Sequence, residues 1–177
     1  MGEAVNDYLA VLAGLLGLVS QSAIADAVDV LQAVKKDKRR VWLAGNGGSA
    51  STAQHFANDL FRVGIRAHCL NDNVALNSMI ANDYGWDMIF AKQRAVYVDT
   101  DDLLILFSTS GVSANILRAV DMWVIGDSIG FTGFSGGFLG EAVKVHVNVP
   151  SHNVRQVEDV HLVVCHMIVD ELEKRDK

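Results

Sequence analysis

The chain has 177 residues, 50% hydrophobic and 20% charged, with a formal net charge of -6 at pH 7 and two cysteines. That length gives one domain with a core large enough to fold without staples, and the acidic balance excludes nucleic acid as a general electrostatic partner. Cys69 and Cys165 lie far apart among apolar neighbours and lack zinc-finger spacing, so they read as reduced core thiols of a cytoplasmic protein.

Residues 4–36 read as helices, with Val5, Leu9, Leu12, Leu16 and Val19 and then Ile24, Val28, Leu31 and Val34 at helical spacing. Their hydrophobic density points to a surface buried in an oligomer. The apolar stretch from Tyr8 to Ile24 has no basic segment before it and is interrupted by Ser20, Gln21 and Ser22, which argues against a signal peptide or a membrane span. The basic run from Lys35 to Arg40 reads as a solvated helix end and turn. Strand and helix then alternate: strand 40–44, helix 49–62, strand 66–70, helices 73–82 and 86–97, strand 103–107, helix 113–122, strand 127–132, helix 136–141, strand 144–148 and helix 154–174. This pattern predicts an α/β fold, a parallel sheet covered by helices on both faces. Gly133, Gly136 and Gly137 mark a turn after the fourth strand, and Pro150, the only proline, closes the fifth. No repeat or linker divides the chain, so 1–177 reads as one domain, with 1–36 a helical oligomerisation segment and 37–177 the α/β core.

Two Gly/Ser-rich loops follow predicted strands and open predicted helices: Gly45-Asn46-Gly47-Gly48-Ser49 and Ser108-Thr109-Ser110-Gly111-Val112-Ser113. Helix N-termini at strand ends favour anions, glycine lets the backbone approach a ligand, and the hydroxyls cap the helix or donate to phosphate oxygens. The pair therefore reads as a double phosphate cradle, the plainer alternative being ordinary capped turns. The first loop also fits Gly-x-Gly-x-x-Ala through Gly45, Gly47 and Ala50, with Asp72 near the place of a ribose-binding acid, which leaves dinucleotide binding open.

His55 and Asp59 share one face of the helix after the first loop, and Glu158 and His166 stand two turns apart on the last helix. If those helices meet, the four side chains offer nitrogen and oxygen ligands for a divalent metal such as zinc. Each also has a plainer reading: a surface His/Asp hydrogen bond, a core histidine at 166, a helix end and turn at Asn82-Asp83, and charge neutralisation by Arg62 and Arg66.

The segments Gly45–Ser49, His55-Phe56-Ala57, Asn82-Asp83-Tyr84-Gly85, Ser108–Asn115 and His161-x-x-x-x-His166 together resemble the sugar isomerase (SIS) domain of the phosphoheptose isomerase family, in order and over nearly the whole chain. The resemblance implies a three-layer sandwich with a five-stranded parallel sheet, a homotetramer with active sites between subunits, and isomerisation of sedoheptulose 7-phosphate to heptose 7-phosphate. By matching position, Asn46, Gly47, Gly48 and Ser49 would border the substrate, Asn82 and Asp83 would hold sugar hydroxyls, and Ser108, Thr109, Ser110 and Ser113 would take the phosphate. His55, Asp59, Glu158 and His166 fall where the family places its zinc ligands and its acid/base pair, with Asp59 as base, His166 as acid and Glu158 also facing the substrate. The expected ligand is a sugar phosphate, with neither nucleic acid nor membrane as a partner.

Three departures stand out. The family has Glu in place of Asp59 and Gln in place of Glu158, and Ser151-His152-Asn153-Val154-Arg155 is one residue shorter than the usual loop and lacks its acidic residue. The phosphate side is therefore intact and the reaction side altered. That keeps a non-catalytic module, binding a sugar phosphate or a protein as the related replication-initiation regulator does, as the alternative to an isomerase.

Overall fold

Five short strands, β1 (Arg40–Ala44), β2 (Arg66–Cys69), β3 (Leu103–Ser108), β4 (Ser128–Thr132) and β5 (Val145–Asn148), pair in the order β2-β1-β3-β4-β5 with all neighbours parallel. The computed structural model in which they lie describes residues 2–121 and 127–177. The central strands β3 and β4 are buried at every position, as strands covered on both faces are. In β3, Leu103, Ile105 and Phe107 point into one apolar layer, while Leu104 and Leu106 point into the other.

The first layer is filled by α1 (Gly2–Leu18), α2 (Gln21–Lys36), α3 (Gly48–Arg62) and α8 (Val154–Arg175), which contribute Val28, Leu31, Phe56, Leu60, Val164 and Ile168. The second contains α4 (Val74–Tyr84), α5 (Ile89–Tyr97), α6 (Ala114–Asp121) and α7 (Gly137–Ala142), with Ile80, Phe90, Ile116 and Leu139. This is an α/β three-layer sandwich. No single helix among the described residues is long and apolar enough to cross a membrane.

Local chemistry sets the boundaries. Ser20 separates α1 from α2 because its hydroxyl accepts the Ala23 N–H at 3.2 Å and caps the second helix. The segment expected as one helix over 86–97 is a 3-10 turn, Trp86–Met88, followed by α5, and Gly85 at φ 96 ends α4 before it. The helix expected over 113–122 runs from Ala114 to Asp121, and residue 122 lies outside the described residues.

Strand order decides where a ligand can sit. The chain leaves β1 toward the first layer through α3 and leaves β3 toward the second through α6, so the loops 45–47 and 109–113 part between adjacent strands. A crevice at the carboxyl ends of the strands follows from that divergence.

Candidate active site

The first loop is held by amides. Asn71, just beyond β2, accepts the Gly45 N–H at 3.2 Å and donates to the Gly45 carbonyl at 2.9 Å. Asn46 exchanges two hydrogen bonds with Asn115 at the start of α6, of 2.9 and 2.8 Å. The expected hydroxyl cap is replaced by Gly47 at φ 56, a left-handed position, and no side chain caps α3. The first N–H groups of α3, at Gly48 and Ser49, have no partner one turn back by helix geometry and face the crevice end of the helix. Ser49 is buried, Asn46 half-buried and Gly47 exposed.

The second loop is a tight turn closed by the Gly111 N–H donating to the Ser108 carbonyl at 2.9 Å. Ser108 Oγ lies 3.1 Å from Ser113 Oγ, and the Val112 N–H donates to Ser110 Oγ at 3.3 Å. From the far side, Gly133 N–H holds the Thr109 carbonyl at 2.8 Å and Leu139 N–H holds that of Gly111 at 2.9 Å. Four hydroxyls thus gather on a braced turn at the end of β3.

The helices carrying the proposed ligands do meet. α3 and α8 run side by side in the same sense, with Glu158 beside Gly48 at one end and His166 beside His55 and Asp59 farther along. His55 Nε2 lies 3.3 Å from Asp59 Oδ2, His166 Nε2 lies 3.6 Å from the same oxygen, and the two ring nitrogens are 3.1 Å apart. Tetrahedral zinc with bonds of about 2.0–2.1 Å keeps its donors about 3.3–3.4 Å apart. The three donors therefore have the spacing of one face of such a tetrahedron, and the donor set suits a divalent cation. Asp59 is buried while both imidazoles are half-exposed, so the fourth position faces solvent. There a groove of about 380 Å³ is bordered by Arg62, Val169, Asp170 and Glu173.

Glu158 stands apart from that trio. Its carboxylate packs on Gly48, where a Cβ would lie 2.4 Å from Oε2. A carboxylate on the first loop repels an anion there, so of the two loops the second is the better phosphate seat. Asn82 and Asp83 sit exposed in the last turn of α4 and bond to each other at 2.7 Å. Among the described residues neither makes a side-chain hydrogen bond to the two loops.

Sequence reasoning missed Asn71 and Asn115 as supports, although Asn115 closes the second motif, and it gave His161 no role beyond the motif. His161 is 1% exposed, its Nε2–H donates to the Thr132 carbonyl at 2.9 Å, and its ring meets the stacked pair Phe107 and Phe131 edge-on. Its Nδ1 is buried with no hydrogen-bond partner among the described residues. Burial drives its pKa down to about 4 against a weaker opposing effect of the Thr132 hydrogen bond.

A family model described as SIS domain matches residues 7–123. A phosphoheptose isomerase of Rhodospirillum rubrum is 36% identical over 154 residues, 82% of each chain. Among solved structures, a phosphoheptose isomerase from Francisella tularensis is similar with a TM-score of 0.90 at 30% identity over 97% of both chains. One from Neisseria gonorrhoeae gives a TM-score of 0.92 at 28% identity over 98% of both.

Proposed function

The chain belongs to the SIS-domain family and, within it, to the phosphoheptose isomerases, and from that premise we propose that it interconverts sedoheptulose 7-phosphate and heptose 7-phosphate. That it is an enzyme isomerising phosphosugars is the coarser statement that its relatives establish. The dinucleotide and non-catalytic readings are not favoured. One observation carries the fuller proposal: His55 and Asp59, on the helix that begins at the sugar-facing loop, converge with His166 of α8 at metal-ligand spacing.

In this reading Ser108, Thr109, Ser110 and Ser113 hold the phosphate. Asn46, Gly47, Gly48, Ser49 and Glu158 form the wall against the sugar, and Asn82 and Asp83 take hydroxyls. Moving the carbonyl between C1 and C2 breaks the C–H bond of the carbinol carbon beside the carbonyl. Asp59 takes that proton, and His166 protonates the carbonyl oxygen, giving an enediol. The proton then returns to the neighbouring carbon as the other oxygen gives up its own. A zinc or other divalent ion held by His55, Asp59 and His166 would polarise the substrate oxygens in place of the proton from His166, with the second carboxylate oxygen of Asp59 left free to act as base, and so lower the barrier.

Eight residues along α8 separate Glu158 from His166 by about 12 Å at the helix rise, so Glu158 does not reach an ion beside its own His166. Within the homotetramer we propose, Glu158 of the partner subunit supplies the fourth metal ligand, and residues 1–36 serve as the oligomerisation segment. The exposure of Val5, Leu9, Val11 and Leu18 on α1 supports that role. The buried free thiols Cys69 and Cys165 suit the cytoplasm. Turnover of sedoheptulose 7-phosphate by the purified protein, assayed before and after metal removal, tests the proposal. Sugar-phosphate binding without turnover at any metal loading would refute it.

A further inference from the structure

We infer that Asn115, a residue that no substrate-contact role covers, is the positioning residue that fixes which edge of Asn46 meets the sugar and ties the sugar-facing loop to the phosphate loop. The inference rests on the reading of Asn46 as a sugar contact. Asn115 is 1% exposed and stands two residues after Ser113, so its own amide does not reach solvent. Its orientation is set by the backbone: the Ile116 N–H, shared with the Ser113 carbonyl at 3.1 Å, donates to Asn115 Oδ1 at 3.0 Å, and of the two amide atoms only the oxygen accepts there. The Asn46 amide is fixed in turn: its Nδ2 donates to Asn115 Oδ1 at 2.9 Å and its Oδ1 accepts from Asn115 Nδ2 at 2.8 Å.

This accounting leaves Asn46 one N–H and one lone pair, both directed away from Asn115. A carbonyl or hydroxyl of the sugar can use that pair only in one sense. The clasp also spans the β1/β3 divergence, so the end of the sugar wall and the first turn of the phosphate helix form one hydrogen-bonded unit. Displacing a substrate contact by about 1 Å costs on the order of a hundredfold in rate.

The test is a double-mutant cycle on kcat/KM with Asn46→Ala and Asn115→Ala, run on the metal-loaded enzyme with sedoheptulose 7-phosphate. Each single variant is expected to lose on the order of ten- to a hundredfold, and the double variant no more than the worse single. Inhibition by inorganic phosphate should change less than about twofold in Asn115→Ala, since the seryl turn stays braced by Gly133 and Leu139. If Asn115→Ala fails to fold, Asn115→Asp, which keeps the shape and the Ile116 bond but cannot donate to Asn46, enters the same cycle. Independent losses that multiply in the double variant would overturn the inference while leaving Asn46 a sugar contact. A silent Asn46→Ala would overturn the sugar-contact reading and the inference together.

Discussion

The carboxylate of Glu158 occupies the space that a side chain on Gly48 would need, 2.4 Å from where its Cβ would lie. The contact joins the start of α3 to the first turns of α8, and it gives the glycine a purpose that loop flexibility does not. Gly48 is not at a positive φ, and its neighbour is the mobile end of a long side chain. Gly48→Ala is therefore expected to fold with stability within about 0.5 kcal/mol of the parent, while pushing Glu158 off the proposed sugar wall and lowering kcat/KM by about tenfold or more. Thermal melts and steady-state kinetics check both halves. A variant that lost stability and activity in proportion would make Gly48 a packing residue only.

His55, Asp59 and His166 are all ligands in the proposed site, but only His55 has no acid or base role there, so metal content and turnover are measured together for each. His55→Ala should purify with its divalent metal lost, measured by elemental analysis, and lose turnover with it. Asp59→Asn and His166→Gln should abolish isomerisation, by more than about a thousandfold if they are the base and the acid. Near-normal rates in either would sink the assignment. Chelation of the parent should stop turnover, and added zinc should restore it.

Buried His161 makes stability depend on acid. Its folded-state pKa is about 4, below the ordinary value of 6.5, so between those values the unfolded chain binds a proton that the folded chain refuses. Its contribution is fully present above pH 6.5 and is lost as pH falls toward 4, by about 3 kcal/mol. His161→Phe keeps the ring among Phe107 and Phe131 without the titrating nitrogens. Chemical denaturation at pH 7.5 and pH 4 should show the parent losing about 3 kcal/mol more than His161→Phe. Parallel losses in the two proteins would show that other groups govern acid sensitivity.

The sequence shows this fold because short runs such as Leu103–Phe107, apolar at every position and closed by Gly/Ser loops, alternate with longer helical patterns, as a parallel sheet buried on both faces requires. His55 and Asp59 were legible as a pair because four residues on one helix always share a face. That α3 and α8 lie in register, so that His166 meets this pair while Glu158 meets Gly48, depends on packing between elements far apart in sequence, and no local pattern encodes it. The same holds for the Asn46–Asn115 clasp, between residues 69 positions apart. The helix end at Asn82-Asp83-Tyr84-Gly85 was legible from its turn residues, whereas the 3-10 turn Trp86–Met88 at the head of α5 was not, because apolar spacing does not distinguish it from a first helical turn.

The exposed apolar residues of α1 bear on catalysis as well as assembly. Tyr8 donates to Asp159 at 2.7 Å, which ties α1 to α8 one residue from Glu158. A partner docked on α1 therefore lies close to the carboxylate proposed to complete the metal site of a neighbouring copy. Leu9 is 58% exposed, so Leu9→Glu removes no core contact and should leave the circular dichroism spectrum unchanged. It is expected to shift the sedimentation profile from the proposed tetramer to smaller species and, in step, to weaken metal retention and turnover by at least about tenfold. Concentrating the variant should recover activity by mass action. A dissociated Leu9→Glu protein that kept full metal content and full rate would mean that each chain carries a complete site of its own.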